Sequence, residues 1–207
     1  MKNNFILPKD KLESAKNNVI KILSRNMVKF IQSVPTPGTD KYGIYGYLDS
    51  KNTFQVWHYG FWVGIFWLAF EATRKESFCC YAQNHTKKIA EQFGEKLVSH
   101  SDVGCMCFPS CIASYKLTGN STARQGVMFA ANSLLFKYNK TAHMIFEDES
   151  GLEDGKKSIK ISDLINLSLL YTSYQFTNNS EYLETAKKNI ELIKKYCISE
   201  KGNIFFR

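Results

Sequence analysis

The segment GFWVGIFWLAFEAT, residues 60–73, decides the fold because it is apolar on nearly every side. A helix with so little polar surface has no face to offer to water, so the segment predicts a buried α-helix. Residues 77–98 follow with apolar residues at helical spacing on one face, which predicts an amphipathic helix packed against the first.

The same pairing occurs twice more along the chain. Buried helices are predicted at 102–118 and 162–176, and amphipathic helices follow each of them at 121–138 and 180–197. In each buried helix an aromatic residue lies three positions before a threonine, and a short polar turn comes next: RKES, GNST or NNSE. The aromatic and threonine pairs are Phe70/Thr73, Tyr115/Thr118 and Tyr174/Thr177.

Repeated hairpins of one inner and one outer helix build either an open solenoid or a closed α/α barrel. The glycines in the inner helices favour a closed ring. An amphipathic helix at 9–32 and a loop at 35–58 precede the repeats, which gives about seven helices in total. We therefore predict an all-α chain in which residues 1–207 form a single α/α-barrel-type domain. Because a closed ring normally needs more hairpins, we expect it to be incomplete and truncated at its C-terminus.

Composition narrows the classes of partner and site. The net charge is +8, but the lysines are scattered and no nucleic-acid-binding motif is present, so we expect no nucleic-acid partner. No apolar run reaches 18 residues and the N-terminus lacks a signal-peptide core, so we expect a cytoplasmic chain without a membrane partner. The six cysteines fit no zinc pattern, so we expect structural thiols, no metal and no cofactor.

One acid lies at the edge of the second buried helix. In SHSDVGCMCFPSCIASY, residues 99–115, Asp102 precedes a run whose predicted buried face consists of Val103, Met106, Phe108, Cys111, Ile112 and Tyr115. An aspartate in this position is a good N-cap for the helix. It is equally well placed for chemistry at the mouth of an apolar ring, and the local sequence leaves both readings open.

Three segments resemble motifs of the unsaturated glucuronyl hydrolases, glycoside hydrolase family 88, in the order and spacing of that family. VWHYGFWVGIFWLAFEAT (56–73) is similar to W-T-x-G-F-W-x-G-x-x-W-L-A-Y-E, and HSDVGCMCFPSCIASYKLTGN (100–120) to H-D-L-G-F-x-x-x-P-S-x-x-A-x-Y-x-x-T-G-D. SDLINLSLLYTSYQFTNNSEYLETA (162–186) is similar to D-x-x-x-N-L-x-L-L-x-x-A-x-x-x-T-G-D-x-x-Y-x-x-x-A. The resemblance covers about residues 35–200.

The resemblance implies an α/α toroid of six hairpins, of which about half is present here. It also implies removal of 4,5-unsaturated uronic acid from lyase-generated oligosaccharides of the glycosaminoglycan type, by hydration of the vinyl ether. An aspartate protonates the double bond and then assists the addition of water, after which the hemiketal collapses. An acid that stays protonated near neutral pH needs an apolar pocket or a second carboxylate nearby.

The resemblance assigns Asp102 as the first acid. The family's second acid lies four residues before the asparagine that matches Asn166, where this chain has Ser162, and Asp163 follows one position later. We take Asp102 and Asp163 as the catalytic pair. The expected substrate-binding residues are Trp57, His58, Trp62, His100 and Phe146.

Other functions stay open at this stage. Ser162 in the acid position is compatible with a catalytically inactive fragment, and the helical repeats alone are compatible with a protein-binding module. The second half of the family, with its carboxylate- and sulfate-binding motifs, has no counterpart in the sequence. The expected partners are therefore an unsaturated uronyl oligosaccharide and either a second copy of the chain or a missing C-terminal half.

Overall fold

The structure, a computed structural model, describes residues 8–48, 57–95, 103–145 and 164–204. These residues form mainly helices, with two small antiparallel β-hairpins. The helices are α1 (Lys9–Lys29), α2 (His58–Thr73), α3 (Glu76–Glu95), α4 (Val103–Cys107), α5 (Ala113–Thr118), α6 (Ser121–Phe136), α7 (Leu164–Thr177) and α8 (Ser180–Cys197). The strands are β1 (Val34–Thr39), β2 (Tyr45–Leu48), β3 (Tyr138–Asn139) and β4 (Met144–Ile145).

The predicted threonine repeat has a structural cause. Each of the three threonine hydroxyls donates to the carbonyl four residues earlier, at 2.7–2.8 Å. The next residue adopts a left-handed conformation and its N–H donates to the carbonyl of the repeat's aromatic residue. These capping residues are Arg74, Gly119 and Asn178. The repeat is therefore a helix C-cap that turns the chain from an inner to an outer helix.

The outer helices begin on side-chain caps. Asn120 Oδ1 accepts the N–H of Ala123, and Asn179 Oδ1 accepts the N–H of Glu181. The predicted inner–outer pairing is confirmed for all three hairpins, since α2 packs on α3, α4–α5 on α6, and α7 on α8. The core between them is built from large side chains that are fully buried, among them Trp67, Phe66, Phe78, Met106, Ile112, Leu134 and Leu169.

The second inner helix is not the continuous α-helix that the sequence predicts. Residues Phe108–Ile112 form a π-helical turn between α4 and α5. Pro109 lies within it, and proline has no N–H to continue the regular bonding pattern. Phe108, predicted to be buried, is instead 46% exposed.

The segment predicted as a loop contains a hairpin. Strands β1 and β2 pair antiparallel, and Asp40 closes their turn by accepting the N–H groups of Tyr42 and Ile44. Two prolines in β1 and glycines on both strands obscure the alternating pattern, so periodicity does not find it.

A half ring leaves its last inner helix without a neighbour on one side, so an exposed apolar face is expected there. A half ring predicts it on the helix at 162–176, but of that helix's described large hydrophobic residues only Leu164 is exposed. It lies on α2 instead, where Trp57, Phe61, Ile65 and Leu68 form what we call the α2 stripe, each at least 40% exposed.

Candidate active site

The three inner helices run parallel and begin at the same end of the molecule. At Gly60, near the start of α2, an added Cβ would lie 2.5 Å from the carbonyl oxygen of Met106 in α4. At Gly104, near the start of α4, it would lie 2.7 Å from the side-chain oxygen of Asn166 in α7. At the opposite end the rings of Tyr115 and Phe176 meet with centroids 4.7 Å apart. Glycine thus allows the helix starts to converge.

A buried hydrogen bond joins the starts of α4 and α7. The N–H of Gly104 donates to Asn166 Oδ1 at 2.8 Å, and Asn166 is only 2% exposed. A buried polar group without a partner would cost about 1–3 kcal/mol, so this bond favours one fixed separation of the two helices. Sequence reasoning used Asn166 only to align the motif and missed this contact.

Four of the predicted site residues lie outside the described residues: Asp102, Asp163, His100 and Phe146. The alternative second acid position, Ser162, also lies outside them. The immediate neighbours of the two acids are described, since Val103 opens α4 and Leu164 opens α7. These neighbours belong to the two helix starts that the Gly104–Asn166 bond holds together.

Trp57 and His58 lie at the start of α2. The Trp57 ring is half exposed and meets the edges of Phe61 and His58, with centroids 5.7 and 6.2 Å away. His58 Nε2 lies 3.1 Å from the carbonyl oxygen of Pro35, so it donates there and fixes β1 on α2. Trp57 therefore presents an open aromatic face, whereas one side of the His58 ring already has a structural partner.

Trp62 lies on a different side of α2. Its indole N–H donates to the Tyr81 hydroxyl at 3.2 Å, which donates in turn to the carbonyl of Phe30 at 2.8 Å. Five residues along a helix correspond to about 140° of rotation, so Trp57 and Trp62 do not form one wall. Trp62 therefore packs within the core. Its expected contact with sugar stays a prediction.

An apolar cleft of about 460 Å³ lies along the contact of α2 with the π-helical turn and α5. Its polar groups are Glu71 and Lys116, near the C-terminal ends of α2 and α5. The apolar lining consists mainly of Phe61, Gly64, Ile65, Leu68, Phe108, Pro109, Ile112 and Leu117. Sequence reasoning missed this cleft, although the spacing of Phe61, Ile65 and Leu68 marks one face of a helix.

A family model decides the assignment. The model described as Glycosyl Hydrolase Family 88 matches residues 27–207, which is most of the chain. The chain belongs to glycosyl hydrolase family 88. The resemblance inferred from the three motifs is therefore confirmed.

The similar proteins in this family are about twice as long as the chain. An unsaturated chondroitin disaccharide hydrolase of Streptococcus pneumoniae (strain ATCC BAA-255 / R6) is 29% identical over 204 residues, covering 97% of the chain and 50% of that protein. An unsaturated glucuronyl hydrolase of Bacillus sp. (strain GL1) is 27% identical over 195 residues, covering 90% and 48%. The chain spans about half the length of the curated relatives it matches.

Solved structures confirm the fold class. A crystal structure of unsaturated glucuronyl hydrolase from Streptococcus agalactiae superimposes with a TM-score of 0.87 at 27% identity, covering 98% of the chain and 50% of that structure. Such structures are α/α toroids. The family 88 chain thus has the fold of about half a toroid, as the helical repeat predicts.

A buried aromatic cluster with one histidine lies behind α2 in this family 88 chain. His85 is 1% exposed, and its Nδ1 lies 2.9 Å from the Tyr59 hydroxyl. Burial and, to a smaller extent, the Lys88 ammonium lower the pKa of His85 to about 4, although a hydrogen bond with the backbone of Ile31 acts in the opposite direction. Burial also raises the pKa of Tyr81 to about 12. The cluster is therefore neutral near pH 7 and acts through packing.

The remaining polar groups in the described part of the family 88 chain define no metal site. Within the described ranges, no three His, Cys, Asp or Glu side chains come together as a metal site. All six cysteines are free thiols, and burial raises the pKa of Cys107. None of the described helices is long and apolar enough to cross a bilayer.

Proposed function

We propose that the chain provides the acid pair of an unsaturated glucuronyl hydrolase, with Asp102 and Asp163 as the two carboxyl groups. The observation that carries the proposal is the contact between Gly104 and Asn166, which holds the starts of α4 and α7 together. Each acid is one peptide, about 3.8 Å between Cα atoms, from a described residue at one of those starts. Chain connectivity therefore limits how far apart the acids can lie.

The surroundings favour this chemistry. Inner-helix N-termini carry partial positive charge, which favours an anionic ligand such as a uronate. The described residues at this end are apolar or aromatic, including Val103, Leu164 and the open face of Trp57. A carboxyl group among such residues keeps its proton more readily, because burial disfavours the charged form.

The proposed substrate class is an oligosaccharide that ends in a 4,5-unsaturated uronic acid, as polysaccharide lyases leave it. One acid donates a proton to the C4=C5 double bond, and water adds at C5 with help from the carboxylate. The hemiketal formed at C5 opens and releases the sugar. Support comes from a UGL variant structure with dGlcA-Glc-Rha-Glc, to which the chain is 26% identical with a TM-score of 0.80. The free cysteines support a cytoplasmic location for this step.

The test follows the conjugated double bond by its ultraviolet absorbance. With an unsaturated chondroitin disaccharide we expect the absorbance to fall in the presence of the chain. Asp102→Asn and Asp163→Asn should each abolish the fall, whereas Ser162→Ala should leave it nearly unchanged. Asp40→Asn, which alters the exposed β1–β2 turn, is the matched control.

Two results would contradict the proposal. Activity retained in Asp102→Asn would exclude Asp102 as the first acid. Activity lost in Ser162→Ala but kept in Asp163→Asn would exclude Asp163 and assign the second catalytic position to the hydroxyl of Ser162. Binding of the disaccharide in calorimetry without any turnover would instead identify a sugar-binding chain that lacks the reaction.

A further inference from the structure

Two tyrosines lie on one face of strand β2. Side chains alternate between the two faces of a strand, so Tyr45 and Tyr47 share one face, whereas Leu48 lies on the other and packs against the core. The two tyrosines are 47% and 61% exposed, and two residues along a strand correspond to about 7 Å. A single exposed ring is ordinary, but two neighbouring rings on one face form an apolar surface that is suited to a ligand.

A lysine from the end of α1 adjoins this surface. The rings of Phe30 and Tyr47 pack together with centroids 5.2 Å apart, and Lys29 Nζ lies 5.1 Å from the first centroid and 5.8 Å from the second. Both distances are within the range of a cation–π interaction, which holds the ammonium beside the rings. Lys29 is itself exposed, so its positive charge is accessible to an anion in solvent.

The acidic residue of the same hairpin is engaged in its own turn. Asp40 is the acid among residues 34–48, and its Oδ1 accepts the N–H groups of Tyr42 and Ile44 at 2.8 and 2.9 Å. Lys41 follows it directly and balances its charge. The hairpin as a whole therefore does not repel an anion that approaches Lys29.

The hairpin rests on the start of α2. Tyr47 is paired with Pro35 across the two strands, and the carbonyl oxygen of Pro35 accepts the hydrogen of His58 Nε2 at 3.1 Å. His58 is the first residue of α2, whose start converges with the starts of α4 and α7. The exposed tyrosines therefore belong to a hairpin at the end of the molecule where the acid pair is proposed.

We propose that Tyr45, Tyr47 and Lys29 form a binding surface for an anionic glycan, namely the sugars that follow the terminal uronic acid in a longer oligosaccharide. This inference rests on the proposed function, from which it takes the substrate class. We call these three residues the hairpin surface.

Each part of the hairpin surface matches one part of such a glycan. The face of an aromatic ring carries partial negative charge and attracts the weakly positive C–H groups on the flat side of a pyranose. The Lys29 ammonium pairs with a carboxylate or a sulfate on a neighbouring sugar. The net charge of +8 raises the local concentration of any anionic chain near the molecule.

The experiment measures binding to the full chain by calorimetry at low salt. The probe is a chondroitin 6-sulfate hexasaccharide with a saturated non-reducing end, which has no double bond and so cannot undergo the proposed reaction. Tyr45→Thr removes a ring and keeps a residue that favours strands, and Lys29→Gln removes the charge. The matched controls are Tyr196→Thr and Lys195→Gln, because Tyr196 is an exposed tyrosine on α8 with Lys195 Nζ 5.1 Å from its ring centroid.

We expect Tyr45→Thr to weaken binding of the hexasaccharide about fivefold, because one stacking contact is lost. Lys29→Gln should weaken it about threefold, and this difference should shrink as salt is added. The two controls should bind as wild type does. Maltohexaose, a neutral glycan of the same length, should bind wild type at least about threefold more weakly than the sulfated probe, since it offers Lys29 no anion.

Several outcomes overturn the inference. Wild type that leaves the sulfated probe unbound, or that binds it no better than Tyr45→Thr does, excludes the hairpin surface as a glycan site. Equal weakening in Lys29→Gln and Lys195→Gln assigns the effect to net charge, and equal affinity for maltohexaose excludes recognition of an anion. If Tyr45→Thr does not fold, the comparison of Lys29→Gln with Lys195→Gln decides.

The same measurements separate this inference from the proposed function. A chain that turns over the unsaturated disaccharide but does not bind the saturated hexasaccharide contradicts only the hairpin surface. A chain without turnover, whose binding of the hexasaccharide weakens in Tyr45→Thr and in Lys29→Gln, contradicts the proposed function and supports the hairpin surface.

Discussion

A single buried imidazole provides a pH response at the scale of the residue. His85 has a pKa of about 4 in the fold, compared with about 6.5 in an unfolded chain. The unfolded state therefore binds the proton first as pH falls. Neutral His85 contributes its full share to the free energy of unfolding above pH 6.5. This contribution, about 3 kcal/mol in all, is lost progressively as the pH falls toward 4.

We expect this loss in the free energy of unfolding measured by urea titration across that pH window. Carboxyl groups also titrate toward its lower end, so the comparison is made with His85→Phe, whose curve should be flatter by about the same 3 kcal/mol. Parallel pH curves for the two proteins would show that His85 is already charged or solvated in the folded state.

At the scale of the element, glycines decide how closely the inner helices approach. In Gly60→Ala the new Cβ meets the backbone of Met106, so we expect a loss of about 3 kcal/mol, although helix propensity alone favours alanine by about 1 kcal/mol. Gly94→Ala is the control, because its Cβ would meet only the ring of Phe129, a half-exposed side chain that can move. Urea midpoints give both values, and an equal effect of the two changes would exclude backbone contact as the cause.

The helices and their contacts also show which parts of the fold can be predicted from the sequence. Local signals were sufficient for the three hairpins, because an aromatic residue, a threonine and a left-handed cap lie within five residues of each other. They could not show that Gly104 and Asn166 bond, since this pairing joins residues 62 apart. Pro109 signals an interruption of the helix but not its form, because a kink and a π-helical turn both accommodate a missing N–H.

At the scale of the whole molecule, the apolarity of residues 60–73 predicts burial, yet the number of neighbouring helices determines it. Val63, Phe66 and Trp67 are buried because α3 and α4 pack against their side of α2. The α2 stripe stays exposed on the side of α2 where Phe61, Ile65 and Leu68 line the open cleft shared with the π-helical turn and α5. Composition could not distinguish these two faces.

The α2 stripe leads to a prediction about association in solution. Contiguous exposed apolar surface of this kind favours contact with another apolar surface, so we expect the chain to self-associate as its concentration rises. The net charge of +8 opposes the approach of two copies, and salt screens that repulsion, so association should increase with ionic strength. Light scattering gives the average molar mass in solution as a function of protein concentration and of ionic strength.

The variants that test this prediction place charge on the stripe. Ile65→Lys combined with Leu68→Lys should keep the chain monomeric at all salt concentrations, because desolvating two ammonium groups outweighs the apolar contact. Ile31→Lys combined with Phe136→Lys adds the same charge at exposed apolar positions outside the stripe and should leave association close to wild type. If the two double variants dissociate equally, net charge alone controls association and the stripe has no specific part in it. If wild type is monomeric at high salt and high concentration, the stripe does not drive contact between copies.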